Sequence, residues 1–207
     1  MKILIFGATG GTGRELVKQG LALGHHITAF VRDPKSLTTN KNLTVLVGDV
    51  LKQDDVEKAI EGQDAVISAL GNKTSNAIWK SNTIISTGVN NIVRAMEKKK
   101  VKRFLFIASF GVNDNIFWPE KIFIKTVLRN IFADIPKQEK LIRQSNLDWT
   151  IVHPARLVNT PKTGVYNEGE NLGIGLFSKV ARSDVADFLL KNTQNKLLIG
   201  KTVTISY

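Results

Sequence analysis

The feature that most constrains this chain is a glycine cluster near its start. Gly7-Ala8-Thr9-Gly10-Gly11-Thr12-Gly13 sets glycines at a Gly-x-x-Gly-x-x-Gly spacing. The cluster follows a short apolar run, Ile3 to Phe6, and opens a segment from Thr12 to about Leu23 with Leu16, Val17 and Leu21 at helical spacing. Strand, glycine turn and helix in that order begin a βαβ unit. The rest of the chain keeps the rhythm. Further strands are expected at His26 to Val31, Leu43 to Val47, Ala65 to Ala69, Arg103 to Ala108, Trp149 to Val152 and Thr202 to Ser206. Helices are expected after Asp54-Asp55, from Asn82 to Lys99, from Lys137 to Gln144 and from Ser183-Asp184 onward. Gly24 is a helix stop, and Asp33-Pro34 reads as a cap followed by a proline in a first helical turn. Between Pro154 and Gly175 the chain reads as loop. Strands alternating with helices predict an α/β fold with a mostly parallel sheet. No repeat or linker interrupts it, so residues 1–207 are read as one domain with a small C-terminal lobe.

Each glycine of the cluster has a physical task. Gly7 permits a tight turn at the strand end, Gly10 lets backbone approach a ligand, and Gly13 lets helix and strand pack closely. The free amides at the helix start, with the positive end of its dipole, then favour phosphate. Gly7, Thr9, Gly10, Gly11, Thr12 and Gly13 therefore form a candidate cradle for the pyrophosphate of a dinucleotide. A chain selecting NAD usually carries an acid at the end of the second strand for the ribose hydroxyls. Here that place holds Val31-Arg32, and arginine suits a 2′-phosphate. Arg14 and Lys35 add positive charge nearby. NADP(H) is the expected cofactor, in preference to NAD.

Composition removes other classes. There is no cysteine, so disulfide frameworks and thiolate metal sites are excluded, and the three histidines are too dispersed for a metal cluster. Met1-Lys2 leads into only four apolar residues before Gly7, unlike a signal peptide, and no apolar run is long enough to span a bilayer. The cytoplasm is the expected location. The net charge of +11 invites thought of nucleic acid. The longest basic run, Lys98-Lys99-Lys100-Val101-Lys102-Arg103, ends a predicted helix, where cations suit the dipole, and no aromatic residue interleaves it as a stacking platform. The expected partner is a small-molecule substrate, without metal, membrane or nucleic acid; a monomer and a dimer are both left open.

Taken together, Gly7 through Glu15, Val31-Arg32-Asp33, Gly48-Asp49-Val50-Leu51 and Gly62-Gln63-Asp64-Ala65-Val66-Ile67 resemble the atypical short-chain dehydrogenase/reductases. Within them the chain most resembles the group of biliverdin reductase B (flavin reductase) and NmrA-like proteins. Ser145 to Pro154 and Ser183 to Phe188 match later motifs of that group, so the resemblance covers essentially the whole chain. It implies a doubly wound Rossmann fold. It also implies that Asp49 and Val50 lie by the adenine, with the Asp49 carboxylate accepting from its amino group; read from the residues alone, Asp49 is equally a turn residue. Ala69, Leu70 and Gly71 would pass the cofactor ribose, Ala108-Ser109 would lie near the nicotinamide, and Pro154 would form the far wall of that pocket.

One part of the wider superfamily pattern is missing. Its usual Tyr-x-x-x-Lys pair cannot exist here, because the only tyrosines are Tyr166 and Tyr207 and neither precedes a lysine at that spacing. Ser109 is the best polar candidate near the reacting atoms, and Arg156 is a candidate partner for an anionic substrate. Lys137 is near the expected helix but out of register, and His153 reads as a packed structural residue. The aromatic stretch from Ile116 to Phe132 reads as an amphipathic helix or as a lid. Two functions follow. One is a reductase passing hydride from NADPH to a planar acceptor such as a flavin or quinone. The other is a non-catalytic NADP(H)-binding redox sensor of the NmrA-like type.

Overall fold

The computed structural model describes residues 1–34, 40–71, 83–108, 135–175 and 177–207. In chain order its elements are β1 Lys2–Phe6, α1 Gly11–Ala22, β2 His26–Val31, β3 Leu43–Val47, α2 Gln53–Ile60, β4 Ala65–Ser68, α3 Thr83–Lys99, β5 Arg103–Ile107, α4 Ile135–Arg143, β6 Asp148–Pro154, β7 Arg156–Val158, β8 Asn167–Gly169, β9 Lys179–Ala181, α5 Arg182–Lys191 and β10 Lys201–Ser206, with a 3-10 turn at Lys196–Leu198.

Apolar side chains alternate along β1 between two buried faces. Ile3 and Ile5 join Leu16, Val17, Val185, Phe188 and Leu189, beneath α1 and α5. Leu4 and Phe6 join Val56, Ile60, Val89, Ile92, Met96 and Ile142, beneath α2, α3 and α4. A strand buried on both sides needs cover on both faces, which produces a doubly wound sheet. The main sheet runs β3-β2-β1-β4-β5-β6-β10-β8, parallel throughout except where β8 meets β10. The order runs outward from β1 through β2 to β3, then returns to β4 on the other side of β1. That reversal opens a crevice at the carboxyl ends of β1 and β4, where α/β sheets bind ligands. This is the Rossmann fold.

Helix α1 stops where Gly24 turns to φ +78, with Gly24 N donating to Leu21 O and His25 N to Gly20 O. Asp54 and Asp55 occupy the first turn of α2, as its dipole favours. The basic run is largely committed inside the molecule. Lys98 pairs with Glu57 at 2.6 Å and Lys99 with Glu61 at 2.7 Å, tying α3 to α2, while Lys102 Nζ donates to Asn146 O. Arg103 is buried and donates to Thr193 O, Asn192 O, Asp148 O and Thr150 Oγ1. It staples the starts of β5 and β6 to the end of α5.

Two expectations are corrected. Strand β6 extends two residues past Val152, to Pro154, because β10 lies parallel beside it; Ala155 N supplies the bond to Ile205 O just after the proline. The stretch from Pro154 to Gly175 is not all loop, since it contains β7 and β8. Each has three residues, too few to display a period of two. The cap at Asp33-Pro34 leads into residues 35–39, and the aromatic stretch at 116–132 also falls outside the described residues.

Candidate functional site

The glycine turn lies at the crevice. Gly7 has φ +78, and a Cβ there would stand 2.5 Å from Ala69 O and 2.7 Å from Ala69 C, so the ends of β1 and β4 touch at this residue. A Cβ on Gly13 would fall onto the Gly7 carbonyl oxygen and 2.8 Å from Ala8 Cα, so helix and strand are in backbone contact. Gly10 is different. Its φ of −73 and ψ of 169 suit any residue, and a Cβ would meet only Gly7 O, at 3.2 Å. Gly10 caps α1 without a side-chain hydrogen bond. The first amides of the helix have no intrahelical partner, and no side chain of the cap residue meets them. A glycine cradle with uncapped amides fits a pyrophosphate.

Of the other predicted residues, Ala69 and Leu70 close on Gly7 and Arg14 reaches Thr9; the rest are placed by the elements that carry them. Val50 follows β3, and a Cβ on Gly88 of α3 would lie 3.0 Å from Val50 and 3.7 Å from Leu70; these three form one wall beside the crevice. Asp49 Oδ1 accepts from Leu51 N at 3.0 Å, and Asp49 N donates to Asp55 Oδ2 at 3.0 Å. Asp49 is thus a turn residue in this structure, with its second carboxylate oxygen outside that turn bond. Ala69 and Leu70 are half-buried and Gly71 is exposed. Arg32 is exposed at the end of β2, and exposed Arg14 donates from Nε to Thr9 O at 3.2 Å. Pro154 is buried at the end of β6, while Arg156 is exposed on β7, with its amide bonded to Ser178 O. Lys35 and Ser109 lie outside the described residues.

Three polar clusters flank the site. His153 is buried, with Nε2 2.7 Å from Glu139 Oε1, and Arg143 donates to Glu139 Oε2 at 3.0 Å. Burial pushes the Glu139 carboxyl upward, but the bonds and charges of His153 and Arg143 outweigh it and hold the group below the usual range. Asp184 is wholly buried and accepts from Thr163 N, Gly164 N, Thr163 Oγ1 and the Tyr207 hydroxyl. Asp187 accepts from the Tyr166 hydroxyl at 3.1 Å and pairs with Lys162 and Lys191. Burial, and then Asp187, drive the Tyr166 phenol upward. His153 is therefore the packed residue expected, and both tyrosines fasten the C-terminal lobe to α5.

Sequence reading missed Arg182, at the start of α5. A Cβ on Gly11 would stand 2.6 Å from Arg182 Cδ and 2.7 Å from its Nε. The fourth glycine of the cluster, beyond the three that the spacing needs, was the available signal. Among the described residues no group of His, Cys, Asp and Glu could hold a metal ion, and no helix is long and apolar enough to cross a membrane.

Comparison with known proteins agrees with this geometry. The family model for NAD(P)H-binding proteins matches residues 7–196. The chloroplastic protein At2g34460 of Arabidopsis thaliana is 31% identical over 197 residues, covering 89% of this chain and 70% of that protein. The photosystem II assembly factor Ycf39 of Synechocystis is 26% identical over 217 residues, covering 99% of this chain but 62% of Ycf39. Among solved structures, a short-chain dehydrogenase/reductase from Veillonella parvula in complex with NADP superposes with a TM-score of 0.81 at 18% identity, covering 100% of this chain and 94% of that one, a likeness of fold. A glycine cradle at the switch point and a family match spanning nearly all of the chain lead to one conclusion: this protein belongs to the NAD(P)H-binding family, in its atypical short-chain dehydrogenase/reductase-like group.

Proposed function

We propose that residues 1–207 form one NAD(P)-binding unit that acts as an NADPH-dependent reductase, transferring hydride to a planar acceptor such as a flavin or quinone. The observation that carries this reading is the commitment of both tyrosines. Tyr166 donates to Asp187 and Tyr207 to Asp184, and no other tyrosine exists in the chain. An aliphatic ketone needs a proton delivered to oxygen as hydride arrives, and a phenol serves only when its proton is free to leave. A flavin or quinone accepts hydride readily and takes its proton from water. When bound, the nicotinamide supplies the hydride. The protein supplies position, which by itself removes much of a bimolecular barrier.

In this reading Gly7, Thr9, Gly10, Gly11, Thr12 and Gly13 hold the pyrophosphate, and Arg32, with Arg14 and Lys35, takes the 2′-phosphate. Asp49 and Val50 flank the adenine; Asp49 Oδ1 is engaged with Leu51, so its other oxygen would meet the amino group. Ala69, Leu70 and Gly71 pass the ribose, Pro154 closes the far side, Ser109 faces the reacting atoms and Arg156 steadies an anionic acceptor. Arginine in place of an acid after β2 supports NADP over NAD, as does the NADP bound to the Veillonella relative. A cytoplasmic location belongs to the same proposal; since one relative is named chloroplastic, cell fractionation is its test.

A second reading, a sensor that binds NADP(H) and reports to a protein partner, is favoured by the relative named an assembly factor rather than an enzyme. Steady-state oxidation of NADPH with a panel of flavins and quinones separates the two. Saturable turnover is expected. Tight NADPH binding without turnover above background would overturn the enzyme and leave the sensor.

A further inference from the structure

We infer that Arg182 is the cationic clamp on the cofactor's pyrophosphate, presented to the glycine turn from a separate element; the inference rests on the dinucleotide reading of that turn. Arg182 is the first residue of α5, and its side chain runs across Gly11, the first residue of α1. Its Nη1 donates to Asn159 Oδ1 at 2.8 Å and to Leu157 O at 3.3 Å, which fixes the guanidinium on β7 and the residue that follows it. Both acceptors are neutral. Among the described residues no carboxylate pairs with Arg182, and its Nε and Nη2 have no hydrogen-bond partner.

The placement beside α1 is otherwise unfavourable. Asp184 supplies a carboxylate to the first turn of α5, but it is turned to Thr163, Gly164 and Tyr207 and makes no ion pair with Arg182. The guanidinium lies against the start of α1, where no side chain caps the helix and the dipole is positive. An anion at that point resolves both. The free Nε–H and Nη2–H form one edge of the guanidinium fork, the arrangement that engages two phosphate oxygens together. Gly11 has no side chain because Arg182 occupies that space, so the glycine and the arginine act as a unit. Since β7 and the loop after it anchor Nη1, the clamp also joins the C-terminal lobe to the cofactor turn.

The test is Arg182→Gln, titrated with NADPH, NADH and adenosine 2′-monophosphate at fixed salt, with the melting temperature measured alongside. A pyrophosphate clamp predicts an equal loss for NADPH and NADH, about ten- to hundredfold, the range of a charged hydrogen bond, with adenosine 2′-monophosphate unchanged. Arg182→Lys keeps the charge without the fork and should recover only part of the affinity. Unchanged dinucleotide affinity in a folded variant would overturn the assignment. So would a loss confined to NADPH, which would make Arg182 a reader of the 2′-phosphate, or an equal loss of adenosine 2′-monophosphate, which would mean a disrupted turn. A wild-type chain that binds neither dinucleotide would overturn the underlying cofactor reading, and that result is visible before any variant is made.

Discussion

The glycines of the turn divide into two kinds, and alanine substitution should separate them. In Gly13→Ala the new Cβ meets the Gly7 carbonyl and stands 2.8 Å from Ala8 Cα, both backbone, so α1 must lift away from β1. That is the upper end of overpacking, about 3 kcal/mol or more. For a chain of this size it corresponds to a fall of roughly 6–12 °C in melting temperature. Gly7→Ala adds a left-handed φ of +78 to a 2.5 Å approach to Ala69 O, and should cost at least as much. Gly10→Ala keeps an ordinary φ, and its nearest neighbour, at 3.2 Å, yields with a shift of a few tenths of an ångström. A small capping loss there is offset by reduced unfolded-state entropy, which leaves a net change within about 1 kcal/mol. If the turn holds a pyrophosphate as proposed, its methyl crowds that approach, and NADPH affinity should fall at least about tenfold, or roughly 1.4 kcal/mol. Gly10→Val should fall further. Thermal melts and calorimetry on the same preparations read both quantities. A Gly10→Ala protein that melts as low as Gly13→Ala, or that binds NADPH as the wild type does, would refute the division.

Other sites carry their own tests. Arg32→Glu sets a carboxylate against the 2′-phosphate, so the ratio of NADPH to NADH affinity should fall about ten- to hundredfold at fixed salt; an unchanged ratio makes Arg32 a surface residue. Glu139→Gln weakens the buried hydrogen bonds to His153 and Arg143 and should cost about 1–3 kcal/mol near neutral pH. Because the folded Glu139 carboxyl lies below its ordinary value, its contribution is complete above that value and lost as pH falls through the lowered one. The gap between wild-type and Glu139→Gln melting temperatures should therefore close in acid, and a gap independent of pH would contradict the pairing. Arg103→Met leaves the carbonyls of Thr193, Asn192 and Asp148 without their donor and should cost about 3–5 kcal/mol in denaturant melts; a loss under 1 kcal/mol would show that the staple is dispensable.

The sheet was legible because its signals are local. Strands β2 and β3 were bounded correctly at both ends, since each is a short apolar run between polar turns. Strands β7 and β8 were missed because three residues in contact with distant partners carry no pattern of their own. The glycine turn between β1 and α1 was legible from spacing alone, as strand, glycines and helix adjoin in the chain. What was hidden depended on contacts across many residues. Arg182 reaches Gly11 from the far end of the sequence, and Arg103 turned inward from a run of lysines that look alike on paper. Ser183-Asp184 reads only as a helix start, yet the partners of Asp184 and Asp187, Thr163, Tyr166 and Tyr207, come from the lobe and from the residue after the last strand.

Calorimetric titration of the unaltered protein with NADPH and NADH at one salt concentration asks whether the crevice between β1 and β4 binds an NADP-type dinucleotide. One molecule of NADPH per chain should bind saturably, with NADH weaker by about ten- to hundredfold, the magnitude of a charged hydrogen bond. Equal affinities would contradict the choice of NADP, and the absence of saturable binding by either dinucleotide would contradict the account as a whole.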